Sequence, residues 1–240
     1  MFRVWTIGIA LGISAQIAPL VLSAISGVHA EAARKYYTVQ VLAAPVENKQ
    51  AMLSVYESLR DKGRLVYYYP KRVGERQYLR LRAGVFESQD RAREHAEALK
   101  NEGFAPFVVE AEVVVTCFKN EFNIVTTSSG IWLVTDSSAR ELYTPAQGLI
   151  DRRHTTPQIA PDGAAIAFYT AGQIVKVTLR TGDTRILAET APEENLFHSI
   201  VQWSPDGRYL AYLDAVEWEL PTRLWVMRPD GTERRCLIGD

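Results

Sequence analysis

Neither sign of charge dominates this 240-residue chain: 27 Lys and Arg stand against 28 Asp and Glu. A nucleic-acid binder normally carries a strongly basic face, so nucleic acid is not an expected partner. Cysteine is nearly absent as well. Cys117 and Cys236 are the only two, too few for a disulfide framework. Both fall in segments that read as strands, so two buried thiols are expected. There is no CxxC pair and no Cys/His cluster, and hence no expected structural zinc site. Catalytic signatures are missing too: no GxSxG elbow, no HExxH, no P-loop. Glu193, Glu194, Glu217 and Glu219 read as solvated loop carboxylates rather than as a pair held at a working separation. No catalytic residue, cofactor or metal is expected, and the chain reads as a non-enzyme.

Charge is also absent from Val4 through Val28. Met1-Phe2-Arg3 places one positive side chain before that run, and Val28-His29-Ala30 closes it with small residues ahead of Glu31. This is the order of a secretory signal, residues 1–30. The run is long enough to span a bilayer as an uncleaved anchor, a reading weakened by Gln16, Pro19 and several Ser and Gly. Either way the rest of the chain is expected in the periplasm or cell envelope.

Beyond residue 30 the chain carries two periodicities. Tyr37 to Leu42 alternates, with Val39 and Val41 on one side and Thr38 and Gln40 on the other. Glu47 to Asp61 reads as a helix, with Met52, Val55, Tyr56 and Leu59 at three- and four-residue spacing and Gly63 beyond its end. Arg64 to Tyr69 reads as a strand stopped by Pro70, and Lys71 to Glu75 as a hairpin connection. Gln77 to Ala83 alternates again, Leu79, Leu81 and Ala83 opposing Tyr78, Arg80 and Arg82. Ser88 suits an N-cap for a helix through Lys100 with Ala92, Ala96 and Leu99 as its stripe. Phe107-Val108-Val109 opens a last strand. These elements imply a four-stranded antiparallel sheet with both helices on one side. The face with Thr38, Gln40, Tyr78, Arg80 and Arg82 is left to solvent or a ligand.

Beyond Val115 the helices stop and a repeat begins. His154 to Gly163 recurs as His198 to Gly207 at an offset of 44 residues, held through Ile166-Ala167-Phe168 and Leu210-Ala211-Tyr212. A repeat of about 40–45 residues built from four strands marks a propeller blade. Gly130 to Val134 resembles Arg223 to Met227 as an earlier half-repeat. His154 and His198 sit at equivalent positions and read as shared structural contacts. The Pro-Asp-Gly triplets make Asp162 and Asp206 turn residues. The fold class is therefore α+β, a βαββαβ domain over residues 35–115, then an all-β partial propeller over residues 118–240 of about two and a half blades. A closed propeller needs at least about four blades, so truncation at Asp240 is expected.

Tyr37-Thr38-Val39-Gln40-Val41 and Leu79-Arg80-Leu81-Arg82-Ala83-Gly84-Val85-Phe86 resemble the SPOR (sporulation-related repeat) family. The resemblance implies a ribonucleoprotein-like sheet that binds peptidoglycan glycan strands stripped of their peptides, often at division septa. Two departures stand out: Leu42-Ala43-Ala44 replaces a small Gly-Ser-Phe, and Val85 replaces a proline. Gln202-Trp203-Ser204-Pro205-Asp206-Gly207 and Leu224-Trp225-Val226-Met227 resemble the repeats of the periplasmic Tol-Pal propeller family. The residue chemistry agrees with sugar recognition. Gln40 offers an amide, Arg80 and Arg82 forked donors, and Tyr78 and Tyr68 flat faces with a hydroxyl. These five form the candidate glycan site. Two other readings stay open: an envelope-protein scaffold acting through the propeller, and the N-terminal part of a propeller-bearing hydrolase.

Overall fold

The computed structural model describes residues 35–119, 121–136, 138–146, 150, 155–190, 201–214 and 223–239. Residues 1–30, His154, His198, Glu193, Glu194, Glu217 and Glu219 lie outside these described residues. Residues Tyr36–Asp240 form a single unit. No helix among the described residues is long and apolar enough to cross a membrane.

The first part runs β1 (Tyr37–Pro45), a 3-10 turn (Val46–Asn48), α1 (Lys49–Asp61), β2 (Val66–Val73), β3 (Arg76–Phe86), α2 (Gln89–Asn101) and β4 (Phe107–Glu110). The four strands form one antiparallel sheet in the order β2-β3-β1-β4. Both helices bury their apolar stripes: Met52, Tyr56 and Leu59 from α1, Ala92, Ala96 and Leu99 from α2. They pack on Val39, Val41, Val66 and Leu81, a face that period-two alternation makes apolar. Ser88 caps α2, its hydroxyl accepting from the Arg91 N–H at 3.3 Å. The β2 strand runs on through Pro70 instead of ending there. It is an edge strand, where a missing N–H leaves no ladder bond broken.

His95 of α2 is half-buried beside the Phe86 ring, at 5.2 Å between centroids. Burial first, then the Arg64 guanidinium, hold its imidazole below the ordinary 6.5, with Glu102 opposing. The unfolded chain therefore binds the extra proton at a higher pH than the folded one. The stability this residue contributes is present above that value and lost as pH falls through it. Thermal melts should show a midpoint that declines below about pH 6.5. His95→Phe should flatten that decline.

The rest of the described residues form three antiparallel four-stranded sheets in chain order. The first holds β5 (Val114–Phe118), β6 (Phe122–Thr126), β7 (Ile131–Val134) and β8 (Ala139–Tyr143). The second holds β9 (Gln158–Ile159), β10 (Ala165–Thr170), β11 (Gln173–Thr178) and β12 (Thr184–Glu189). The third holds β13 (Val201–Trp203), β14 (Leu210–Asp214), β15 (Arg223–Met227) and β16 (Arg235–Ile238). They stack face on face as propeller blades do. Ile124, Ile131 and Leu142 of the first meet Ile166, Phe168, Val175 and Val177 of the second. Ala167, Tyr169 and Ile174 on the second sheet's other side meet Leu210, Tyr212 and Met227 of the third. The Trp203 indole N–H also donates to the Gln158 carbonyl at 3.0 Å.

The Pro-Asp-Gly turns behave as their chemistry requires. Asp162 and Asp206 accept from the Ala164 and Arg208 N–H groups at 2.9 and 3.0 Å, and Gly163 and Gly207 take φ of 74° and 70°. The cysteines do not match the expectation of two buried thiols. Cys117 is exposed, Cys236 is half-buried, and no disulfide joins them. Their strands, β5 and β16, are edge strands, flanked by a neighbouring strand on one side only.

Candidate functional site

The sheet face away from the helices is built by register. Gln40 lies opposite Arg82 on β1 and β3, and after a bulge Ala43 lies opposite Arg80 and Pro45 opposite Tyr78. On the far side of β3, Tyr67 pairs with Arg82 and Tyr69 with Arg80. Phe107 of β4 lies opposite Gln40 on its other flank and is exposed. The helix-free face therefore collects Gln40, Tyr78, Arg80 and Arg82, four of the five residues expected there, and adds Tyr69 and Phe107, while Tyr67 on the same side of β2 is fully buried.

The centre of this surface is not the solvated face expected. Gln40 and Arg82 are only 6% and 4% exposed, and Thr38 is fully buried, its hydroxyl donating to the Gly84 carbonyl at 2.7 Å. The Arg82 guanidinium lies against the Tyr69 ring, 4.6 Å from its centroid, a cation–π arrangement. Yet Gln40 Oε1, Arg82 Nε and Arg82 Nη1 have no hydrogen-bond partner among the described residues. Buried polar atoms are nearly always bonded, and leaving one unbonded costs about 1–3 kcal/mol, more for a charged group. An acceptor on Gln40 and two donors of Arg82 thus stand side by side on adjacent strands, unsatisfied. Arg80 and Tyr78 are half-buried at the periphery.

Tyr68 does not belong with them. It pairs with Leu81 and so points to the helix side, where its ring meets Tyr56 edge-on at 6.2 Å. The reason is parity: Val66 must face the core, and Tyr68 shares its side of the strand. The backbone of Tyr68 is also engaged, its N–H donating to Ser129 Oγ at 3.3 Å and its carbonyl accepting from Ser128 Oγ at 2.5 Å. These bonds belong to a junction with the first propeller-like sheet. Val125 and Trp132 of that sheet enter the same core as α1 and the helix side of the first domain. Tyr56 donates to Glu141 Oε1 at 2.9 Å, and burial, then the Glu141 carboxylate, hold the Tyr56 phenol far above its ordinary range, so it remains a donor.

Tyr69 is the residue that sequence reasoning missed. The run Leu65 to Tyr69 offers no polar alternation to set its phase, although a buried Val66 already puts residues 67 and 69 on the other side. Phe107 was legible as a strand residue, and only its register opposite Gln40 assigns it to this face. Among the described residues no three His, Cys, Asp or Glu side chains gather as metal ligands would.

A helix-backed antiparallel sheet whose helix-free face carries amide, guanidinium and aromatic groups makes an α+β module, here joined to propeller-like sheets. Residues 33–110 match the family model of the SPOR domain, and the chain carries that domain. No curated protein matches the sequence. Among solved structures, an oligogalacturonate lyase in complex with manganese aligns at 14% identity and a TM-score of 0.40, covering 56% of this chain and 39% of that one. A putative TolB from Agrobacterium tumefaciens aligns at 12% identity and a TM-score of 0.40, covering 86% of this chain and 71% of that one.

Proposed function

We propose that the helix-free face binds peptidoglycan glycan strands stripped of their peptides, and that it thereby brings the propeller-like sheets to the cell wall, at sites such as the division septum. The observation that carries this reading is the adjacent pair of buried, unbonded groups, Gln40 and Arg82. Removing the stem peptide leaves a carboxylate on each muramic residue. A guanidinium presents parallel N–H donors that match a carboxylate, and the Gln40 carbonyl oxygen accepts from a sugar hydroxyl or amide. Tyr78 and the Tyr69–Arg82 stack supply the flat surfaces on which pyranose rings rest. The role is binding, and export through residues 1–30 would bring the chain to its ligand.

The test is co-sedimentation of the purified chain with sacculi. Amidase-treated sacculi, rich in bare glycan, should retain more protein than untreated ones. Equal retention on both would sink the denuded-strand reading.

A further inference from the structure

Stacked sheets have direction. Each propeller-like sheet presents one face to the sheet before it and the other to the sheet after it. On the second sheet the forward face is Ala167, Tyr169, Ile174 and Ala188, buried against the third sheet. The 44-residue offset carries Ala167 and Tyr169 onto Ala211 and Leu213. Strand pairing completes the match: Tyr169 pairs with Ile174 and Ile174 with Ala188, as Leu213 pairs with Leu224 and Leu224 with Ile238. Every one of these positions is apolar in both sheets. In the second they are at most 7% exposed, whereas in the third Ala211, Leu213 and Leu224 are half-buried and Ile238 is 54% exposed.

The rear faces tell the other half. The third sheet's rear face, Val201, Trp203, Leu210, Tyr212 and Met227, is covered by the second sheet. The second sheet's is covered by the first. The first sheet's rear face, Val125 and Trp132, is covered by the SPOR domain. That domain therefore fills the slot a preceding sheet would take, and caps the array at its beginning. Among the described residues, a second copy of the chain has no uncovered rear face to offer.

We propose that the forward face of the third sheet docks one more four-stranded sheet of the same repeat type. That sheet would present an aromatic and aliphatic rear face like that of Trp203, Leu210, Tyr212 and Met227. The inference is independent of glycan binding. It rests on the likeness of the two forward faces and on where each rear face is spent. Sheets joined this way interdigitate side chains across about 10 Å, and an apolar face of this kind left open marks an interaction surface.

The test joins a second copy of residues 199–239 behind Asp240 by a short flexible linker. Docking predicts a melting midpoint higher by about 5 °C or more, on a scale of about 2–4 °C per kcal/mol for a unit of this size. It also predicts slower amide exchange at Leu213 and Leu224. Leu210→Asp placed only in the added copy should abolish both gains, because it puts a charge into the new contact. No gain from the unaltered tandem would overturn the proposal. So would sedimentation showing the original chain to be a dimer that Leu224→Asp dissociates, since a second copy would then be the occupant.

Discussion

Arg82→Ala is expected to weaken binding to amidase-treated sacculi by about 30- to 150-fold, the equivalent of roughly 2–3 kcal/mol for a charge-assisted pair. The expected effect on folding is in the other direction or nil. Arg82 Nε and Nη1 are buried without a partner in the free protein, so deleting them removes an unsatisfied charge rather than a bond. This separation makes the test decisive: binding measured by sedimentation should collapse while the thermal midpoint holds or rises. Arg82→Lys should fall between, keeping the charge but losing the planar fork and the stack on Tyr69. Gln40→Ala should show the same pattern with a smaller loss, since a neutral hydrogen bond contributes about half as much. Tyr68→Phe should leave binding unchanged, because that ring lies on the helix side. An Arg82→Ala protein that binds as well as the parent would remove the face from consideration.

Trp132→Ala should be the most damaging single substitution to the fold. Trp132 is 1% exposed and sits where the first propeller-like sheet enters the SPOR-domain core. Truncating a buried tryptophan typically costs about 3–5 kcal/mol, which for a unit of this size lowers the midpoint by roughly 10 °C. The location adds a second signature. The junction retains the Tyr56–Glu141 bond and the Ser128 and Ser129 bonds to Tyr68, but these polar contacts are modest beside the lost apolar area. Calorimetry should therefore resolve two transitions in Trp132→Ala where the parent shows one. Trp132→Phe should restore most of the coupling. A single, unshifted transition in the alanine variant would mean that the two parts do not support one another.

Much of the architecture was legible because it is local. Val39 and Val41, Leu79 and Leu81, and the stripe Ala92, Ala96 and Leu99 each declare their element through spacing alone. Ser88 marks a helix start, Pro-Asp-Gly a turn, and the 44-residue offset a stacked series. The first propeller-like sheet carries no Pro-Asp-Gly turn, and only Gly130 to Val134 hinted at its presence. Pro70 misled for a related reason. A proline stops an interior strand but not an edge strand, and edge position is a property of the sheet.

The candidate site divides along the same line. Alternation by itself determined that Gln40, Tyr78, Arg80 and Arg82 lie away from the helices, since side chains two apart on a strand share a side. It could not phase an unbroken run of three tyrosines. The register of β2 against β3 moved Tyr68 to the core and brought Tyr69 over Arg82. Nor could it say that Gln40 and Arg82 are buried and unbonded. Burial is set by what other strands and loops place above a residue. The junction around Trp132 joins Tyr56 to Glu141, 85 residues apart, and Tyr68 to Ser128, 60 apart. No period in the chain encodes such pairs. They come from the closing of two apolar faces against each other, and only the folded chain reveals which faces those are.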